Sequence, residues 1–247
     1  MSDPRILTLD IETAPATVYT YSLFQKVIGI GNVIEGPRIL CLAAKWHGSR
    51  DVFFLSEWSQ GREGMLKAIH QLMDEADYII SWNGQRFDVP WLNGEFLKVG
   101  LEPPSPHRDI DLMLTAKKRF RFLSNKLDWY ARELGIGQKV NHQGIGLWRS
   151  IMEDADDVED ARKIMRRYNV QDVRLTEQIF DRMRPWIQGI NMALFQGGTR
   201  CRNCGSVHLI KKGFAITTQG KYQRLKCTAC GAWTREKKAI YTSNTGA

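Results

Sequence analysis

The stretch Ile6-Leu7-Thr8-Leu9-Asp10-Ile11-Glu12-Thr13 decides how this chain is read. Its apolar residues recur with a period of two, the pattern of a β-strand that turns one face to a core. Leu7, Leu9 and Ile11 take that face, so Thr8, Asp10 and Glu12 share the other. Two carboxylates held this close repel, and one pKa rises unless a cation neutralises the pair. Taken alone, the run fits a metal site or a solvated strand face equally well.

Outward from this strand, residues 38–46 and 51–55, joined by His47-Gly48-Ser49-Arg50, read as a hairpin. Residues 61–76 read as a helix with Met65, Leu66, Ile69, Leu72 and Met73 on one stripe. A short buried strand over 78–82, a helix over 89–99 and a strand over 108–113 follow. Helices over 125–134, 147–153 and 158–183 complete the body. Three sequential strands followed by alternating elements predict an α/β domain with a mixed sheet. Residues 15–36 are poorly patterned and suit a lid or substrate loop.

The last long helix carries the second acidic signal. At about 100° per residue, Ile164, Met165, Leu175, Ile179 and Met183 fall on one stripe, and Tyr168 and Asp172 fall within it. Arg166, Arg167, Arg174, Glu177 and Asp181 fall on the far side, which predicts that they face solvent. Asp172 thus points with the core. A buried carboxylate needs a partner such as a cation site; the alternatives are a salt bridge to an Arg elsewhere or a stripe that surfaces at a helix end. A third acid, Asp88, follows Asn83-Gly84-Gln85-Arg86-Phe87 and precedes Val89-Pro90, where it reads as a helix N-cap, a role compatible with metal ligation.

Composition bounds the rest. The 247 residues are 43% hydrophobic and 25% charged, ordinary globular values that exclude disordered and collagen-like chains. The longest clean apolar run, residues 39–44, is far too short to span a bilayer, and no signal-peptide pattern opens the chain. A cytoplasmic protein is expected. The net charge of +8 is unevenly distributed. Residues 198–247 contain ten Lys or Arg and one acid, Glu236, for a net of +9, whereas residues 1–197 sum to −1. A near-neutral body with a basic tail suggests an attached module for a polyanion, most often nucleic acid.

Four of the five cysteines lie in that tail, as Cys201-x-x-Cys204-Gly205 and Cys227-x-x-Cys230-Gly231. Each pair can aim two thiolates at one tetrahedral ion, and together they predict a closed structural zinc site. The 22 residues between Cys204 and Cys227 slightly exceed the usual window. They read as strands over 207–210, 214–218 and 222–226 with a turn at Gln219-Gly220. Two disulfides are the alternative, but no export signal supports an oxidising compartment. Cys41 reads as a buried small hydrophobe.

Together these features resemble a known family. Asp10-Ile11-Glu12-Thr13, Asn83-Gly84 with Phe87-Asp88, and Tyr168-x-x-x-Asp172 are similar to the three motifs of the tyrosine branch of the DEDD 3′–5′ exonucleases. The closest flavour is the proofreading domain of family B DNA polymerases. The histidine branch places a His where Arg167 stands. The tail resembles the zinc ribbons of many nucleic-acid enzymes. The resemblance implies a ribonuclease H-like mixed sheet flanked by helices over residues 1–197, plus a small β zinc ribbon over 198–247. It also implies two Mg²⁺ or Mn²⁺ ions about 4 Å apart, the spacing suited to in-line phosphodiester hydrolysis. Asp10 would bridge both ions, Glu12 and Asp172 would complete the site of the attacking water, and Asp88 would support the second ion. Tyr168, as a phenol with an ordinary pKa of about 10, would orient that water rather than deprotonate it.

Weaker signals surround these motifs. Thr13, Asn83 and Phe87 lie within the motifs and are candidate substrate contacts. Lys117-Lys118-Arg119-Phe120-Arg121-Phe122 interleaves bases with aromatics, which suits phosphate contact and stacking or merely a solvated helix end. Tyr19, Tyr21 and Phe24 could wedge a terminal base, or simply pack. Asp109 and Asp111 are secondary candidates beside Asp88, and His142 reads as structural or exposed. The function expected is a 3′–5′ exonuclease acting on DNA, preferably at single-stranded ends, with a ribbon that grips nucleic acid or a replication or repair partner. The rivals are a nucleic-acid-binding or assembly factor with little catalysis, and an exoribonuclease.

Overall fold

The computed structural model describes residues 3–24 and 27–242. Gln25 and Lys26 of the poorly patterned stretch, and the last five residues of the basic tail, lie outside the described residues. The described residues divide into two compact units, one of Arg5–Leu114 with Phe122–Gln178, the other of residues 3–4, Thr115–Arg121 and residues 179–242.

The first unit is built on a five-stranded sheet. Its strands are β1 (Ile6–Thr13), β4 (Ile39–Trp46), β5 (Phe53–Ser56), β6 (Tyr78–Ser81) and β7 (Arg108–Asp111), after a small separate pair, β2 (Thr17–Val18) and β3 (Val33–Glu35). The sheet order is β5-β4-β1-β6-β7, antiparallel on the β4–β5 side and parallel from β1 to β7. Leu7, Leu9 and Ile11 pack with Met65, Leu66, Ile69 and Met73 of α1 (Glu57–Asp74) and with Leu92 and Phe96 of α2 (Asp88–Lys98). On the other face, Cys41 packs with Leu147 and Ile151 of α5 (Ile145–Met152) and with Ala161 and Met165 of α6 (Val158–Met183). Two further helices, α3 (Leu112–Arg119) and α4 (Leu127–Glu133), lie between these in the chain. A mixed sheet covered on both faces is the α/β architecture expected.

Three local expectations for this unit differ from the structure. The strand expected over 108–113 ends at Asp111, whose Oδ1 accepts the N–H groups of Met113 (2.9 Å) and Leu114 (3.2 Å) and so opens α3. Asp88 is the first residue of α2, not its cap, because Phe87 occupies the N-cap position. Glu177 does not face solvent. The residue is 9% exposed, and its carboxylate takes Lys45 Nζ at 2.5 Å and Gly48 N at 3.0 Å. The second half of α6 is buried on several sides, so a single-stripe reading fails there.

The second unit contains the short helix α7 (Ala193–Gln196) and a three-stranded sheet of β8 (Leu209–Thr217), β9 (Gly220–Cys227) and β10 (Trp233–Thr242), with β9 central. The 207–210 and 214–218 runs merge into one strand that is irregular between Lys211 and Phe214. The hairpin closes at Thr218-Gln219, since Thr217 pairs with Gly220. This unit starts before the composition shift at 198. Asn203 donates to the carbonyls of Arg184 (2.6 Å) and Ile187 (3.0 Å), and Met192 N donates to Arg202 O (2.8 Å), which knits the cysteine turn to the segment after α6. Among the described residues, no helix is long and apolar enough to cross a membrane.

Candidate active site

Asp10 and Glu12 project from β1 on the α5–α6 side, since their register partners on β4 are Ala43 and Cys41. Asp172 reaches the same place from α6. One carboxylate oxygen from each of these three residues lies within 4.8 Å of the others. Asp88 lies outside that tight group, and its Oδ1 accepts the Ile11 N–H at 3.0 Å, tying the start of α2 to β1. The turn before α2 needs its Asn-Gly pair. Asn83 has φ of 72°, and a Cβ on Gly84 would come within 2.1 Å of Ser81 Oγ. Asp111 Oδ1 also accepts Asn83 N at 3.1 Å, so its role is to pin this turn.

Burial and mutual repulsion make the carboxylates poor anions. Burial pushes Asp10 well up, helped by Asp88, Asp172 and Glu12 and opposed by Lys139. Burial likewise raises Glu12 to about 8, against Lys139, and Asp88 to about 7, against the Ile11 N–H. Asp172 rises to about 6 for the same reason, again moderated by Lys139. Asp172 is 3% exposed at its side chain, and its Oδ1 has no hydrogen-bond partner among the described residues. Converging oxygen donors, short of positive charge and with one buried oxygen unpartnered, fit hard divalent cations such as Mg²⁺ or Mn²⁺.

Two participants escaped the sequence reading. Lys139 Nζ pairs with Asp172 Oδ2, donates to Tyr168 OH at 2.8 Å and lies 4.6 Å from the centre of the Tyr168 ring. The salt-bridge partner of Asp172 is thus a lysine and not an arginine. Burial disfavours the Lys139 ammonium, but Asp172 and the phenol outweigh it and raise its pKa. The Lys139 backbone is held by Asp128 Oδ1 of α4, which accepts its N–H at 2.8 Å. Asn169 is the second, donating to Asp10 Oδ2 at 2.8 Å and to Asp10 O at 3.1 Å. It sits three residues before Asp172 and four after Met165, so the stripe that placed Asp172 also placed Asn169. Lys139 gave no such signal beyond its place after the glycine-rich turn Gly135-Ile136-Gly137.

Tyr168 is half-buried on α6, in a ring triad with His142 (ring centres 4.7 Å apart) and Trp148 (6.3 Å), which also touch each other at 5.2 Å. Burial raises its pKa to about 12, with Asp172 and Glu12 adding to the effect against Lys139. At neutral pH the phenol is a hydrogen-bond donor. A cavity of about 220 Å³ opens beside it, lined by Asp128, Arg132, Lys139, Val140, Asn141 and His142 as well as Tyr168 itself.

The remaining candidates are more dispersed. Thr13 follows a register shift after Glu12 and is half-buried. Phe87 is partly exposed against Trp91, with ring centres 6.3 Å apart. Lys117, Lys118 and Arg119 are exposed at the end of α3 and belong to the second compact unit. Tyr19, Tyr21 and Phe24 are strongly exposed.

In the second unit the four thiols converge, also within 4.8 Å, with Cys201 Sγ–Cys230 Sγ at 3.6 Å and Cys204 Sγ–Cys227 Sγ at 3.7 Å. Tetrahedral zinc with bonds of about 2.3 Å requires sulfur separations of about 3.8 Å, so the cage fits that ion. Both turns are built alike. Gly205 and Gly231 have φ of 75° and 83° and donate to the carbonyls of Cys201 and Cys227 at 2.9 and 3.0 Å. Burial opposes the Cys227 thiolate, but the N–H groups of Cys230 and Ala229 and its thiol neighbours bring its pKa down to about 7.

Comparison with known proteins places this geometry. No curated protein sequence matches the chain. Among solved structures, it is similar to the family B DNA polymerase from the hyperthermophilic archaeon Pyrobaculum calidifontis, with a TM-score of 0.53 and 16% identity. That similarity covers 90% of this chain but 33% of the polymerase, so the chain spans about a third of that protein's length. The RNase H superfamily profile matches residues 40–184, more than half of the sequence. A mixed sheet with its acidic strand at the centre, helices on both faces and this profile match lead to one conclusion: the chain belongs to the RNase H superfamily.

Proposed function

We propose that the protein is a metal-dependent 3′–5′ exonuclease of the tyrosine DEDD type, with residues 1–197 as the catalytic part and 198–247 as a zinc ribbon. The observation that carries this reading is the convergence of Asp10, Glu12 and Asp172, with Asp88 behind them and Tyr168 beside them, in one buried acidic site. Asp10, Glu12, Asp88 and Asp172 would hold two Mg²⁺ or Mn²⁺ ions, and Cys201, Cys204, Cys227 and Cys230 one Zn²⁺. The divalent pair supplies an activated water and charge stabilisation for the departing 3′ oxygen. Tyr168, protonated at neutral pH, orients the water by donating a hydrogen bond. Asn169 fixes the rotamer of Asp10, and Lys139 aligns Asp172 with the phenol. Thr13, Asn83 and Phe87 line the approach for the terminal nucleotide. DNA is the favoured substrate, by analogy with the similar polymerase. A cytoplasmic setting goes with this reading, because it keeps the four zinc-binding thiols reduced.

The test is hydrolysis of 5′-labelled single-stranded and duplex DNA and RNA with Mg²⁺, with Mn²⁺ or with neither. A ladder shortening from the 3′ end, lost in Asp10→Ala and Asp172→Ala, is the expected result. Binding without cleavage in every condition would overturn the proposal and favour an assembly factor.

A further inference from the structure

The second unit carries a groove of about 810 Å³ whose walls include Arg119, Arg202, Arg224, Arg235, Trp186 and Trp233. All six residues belong to that unit: Arg119 ends α3, Trp186 follows α6, Arg202 lies in the first cysteine turn, and the others lie on β9 and β10. Several arginines elsewhere are matched to carboxylates, as in Arg38 with Glu57, Arg132 with Asp128 and Arg162 with Glu159. Among the described residues, none of the four groove arginines forms an ion pair, and the tail's sole acid, Glu236, is paired with Lys211 at 3.7 Å. Four guanidinium groups facing one groove without a counter-charge repel each other and attract an anion.

The aromatic side of the groove selects among anions. Trp186 and Trp233 remain 51% and 46% exposed, although large indoles normally bury most of their surface. Trp186 meets Phe120 edge-on at 5.7 Å, and the Arg224 guanidinium sits 4.6 Å from the Trp233 ring centre. Arg224 is itself steadied by the Lys212 carbonyl at 3.0 Å. Exposed indoles interleaved with planar guanidiniums offer stacking surfaces next to phosphate-binding forks. A duplex keeps its base faces stacked inside and cannot use the indoles, and an acidic peptide offers no flat rings to fill them.

We propose that this groove binds single-stranded nucleic acid, with unpaired bases stacked on Trp186 and Trp233 and phosphates held by Arg119, Arg202, Arg224 and Arg235. The inference rests on the nuclease reading only for the use made of the strand: it makes the ribbon unit a single-strand grip and not a duplex or protein dock.

The test uses the full-length chain with its zinc retained and no added divalent cation, and fluorescence anisotropy of labelled twelve-residue oligo-dT, oligo-U and a mixed-sequence duplex. Wild type should prefer the single strands. Trp233→Ala and Trp186→Ala should each weaken oligo-dT binding roughly 5- to 100-fold. Trp233→Phe should recover part of that loss, and zinc content should stay at wild-type level, which separates lost stacking from a collapsed ribbon. Arg202→Gln and Arg224→Gln should each lower the salt slope by about 0.7. The ratio of oligo-dT to oligo-U affinity tells whether DNA or RNA is the better strand. Unchanged oligo-dT binding in both Trp variants, or equal affinity for the duplex, overturns the proposal. Strand binding lost in these variants, in a protein that hydrolyses nothing, would leave the groove standing and remove the nuclease reading instead.

Discussion

Without divalent cation the acidic site should make the fold less stable as pH rises, which is opposite to the usual behaviour of carboxylates. The folded-state pKa values are raised: Glu12 to about 8, Asp88 to about 7 and Asp172 to about 6. A carboxyl group that prefers its proton in the folded state contributes stability fully below its unfolded pKa of about 4, and loses it as pH climbs through the folded value. Asp172 alone shifts by about two units, or about 3 kcal/mol at roughly 1.4 kcal/mol per unit. For a chain of this length, 1 kcal/mol moves the melting temperature by about 2–4 °C. Only the last unit of that shift, about 1.4 kcal/mol, is lost between pH 5 and pH 8, so this one contribution should lower the melting temperature by about 3–6 °C over that range. The assay is thermal unfolding followed by circular dichroism, with and without millimolar Mg²⁺ and without a chelator, so that the cysteine site is undisturbed. Mg²⁺ should restore most of the loss at pH 8 by binding the ionised form, and should act little at pH 5. A metal-free melting temperature that stays level or rises from pH 5 to pH 8 would refute the reasoning.

Other outcomes follow from single contacts. Lys139→Met removes the cation that competes for Asp172, so the half-saturating Mg²⁺ concentration for hydrolysis should fall by about tenfold, while kcat drops because Tyr168 loses its hydrogen bond. Glu177 is affected by burial, but the His47 and Lys45 side chains and the Gly48 N–H overcome it and bring its pKa down to about 2. Its contribution, about 3 kcal/mol, is present above an unfolded pKa of about 4.5 and vanishes as pH falls towards 2. Urea titrations at pH 7 and pH 2.5 should show Glu177→Gln costly at the first and much less so at the second. Elemental analysis of the purified protein should give one zinc per chain, and Cys204→Ser should lose it together with the amide protection of β9.

Period-two and period-3.6 patterns made much of the fold legible. The strand around Asp10 and the long helix around Asp172 each bury one side, so their apolar residues imposed a rhythm that charged residues interrupted informatively. Where burial is not one-sided, the rhythm disappears. Glu177 lies on a stretch of α6 that is covered on several sides, and its partner Lys45 comes from a distant strand. β10 went unseen because Arg235-Glu236-Lys237-Lys238 breaks any apolar alternation in a strand that is mostly exposed. Lys139 is one base among 35 Lys and Arg residues, placed by a loop, and only tertiary structure shows that its ammonium enters the acidic site. Asn169 was readable in principle, since it shares the stripe of Met165 and Asp172. An amide, however, does not announce itself as a carboxylate does.

The place of β1 in its sheet bears on how the molecule yields to substrate. β4 pairs with β1 along one edge from Leu7 to Thr13, β6 pairs with residues 6–8 on the other, and beyond that pairing Asp88 Oδ1 holds the Ile11 N–H, so the strand bearing Asp10 and Glu12 is secured on both sides. Its amide hydrogens should be among the last to exchange with solvent, opening only when the whole unit unfolds. The exposed chain carrying Tyr19, Tyr21 and Phe24 should exchange orders of magnitude sooner. Adaptation to differently shaped strand ends is thereby assigned to segments that can open cheaply, and the carboxylates stay in the part of the fold that opens last.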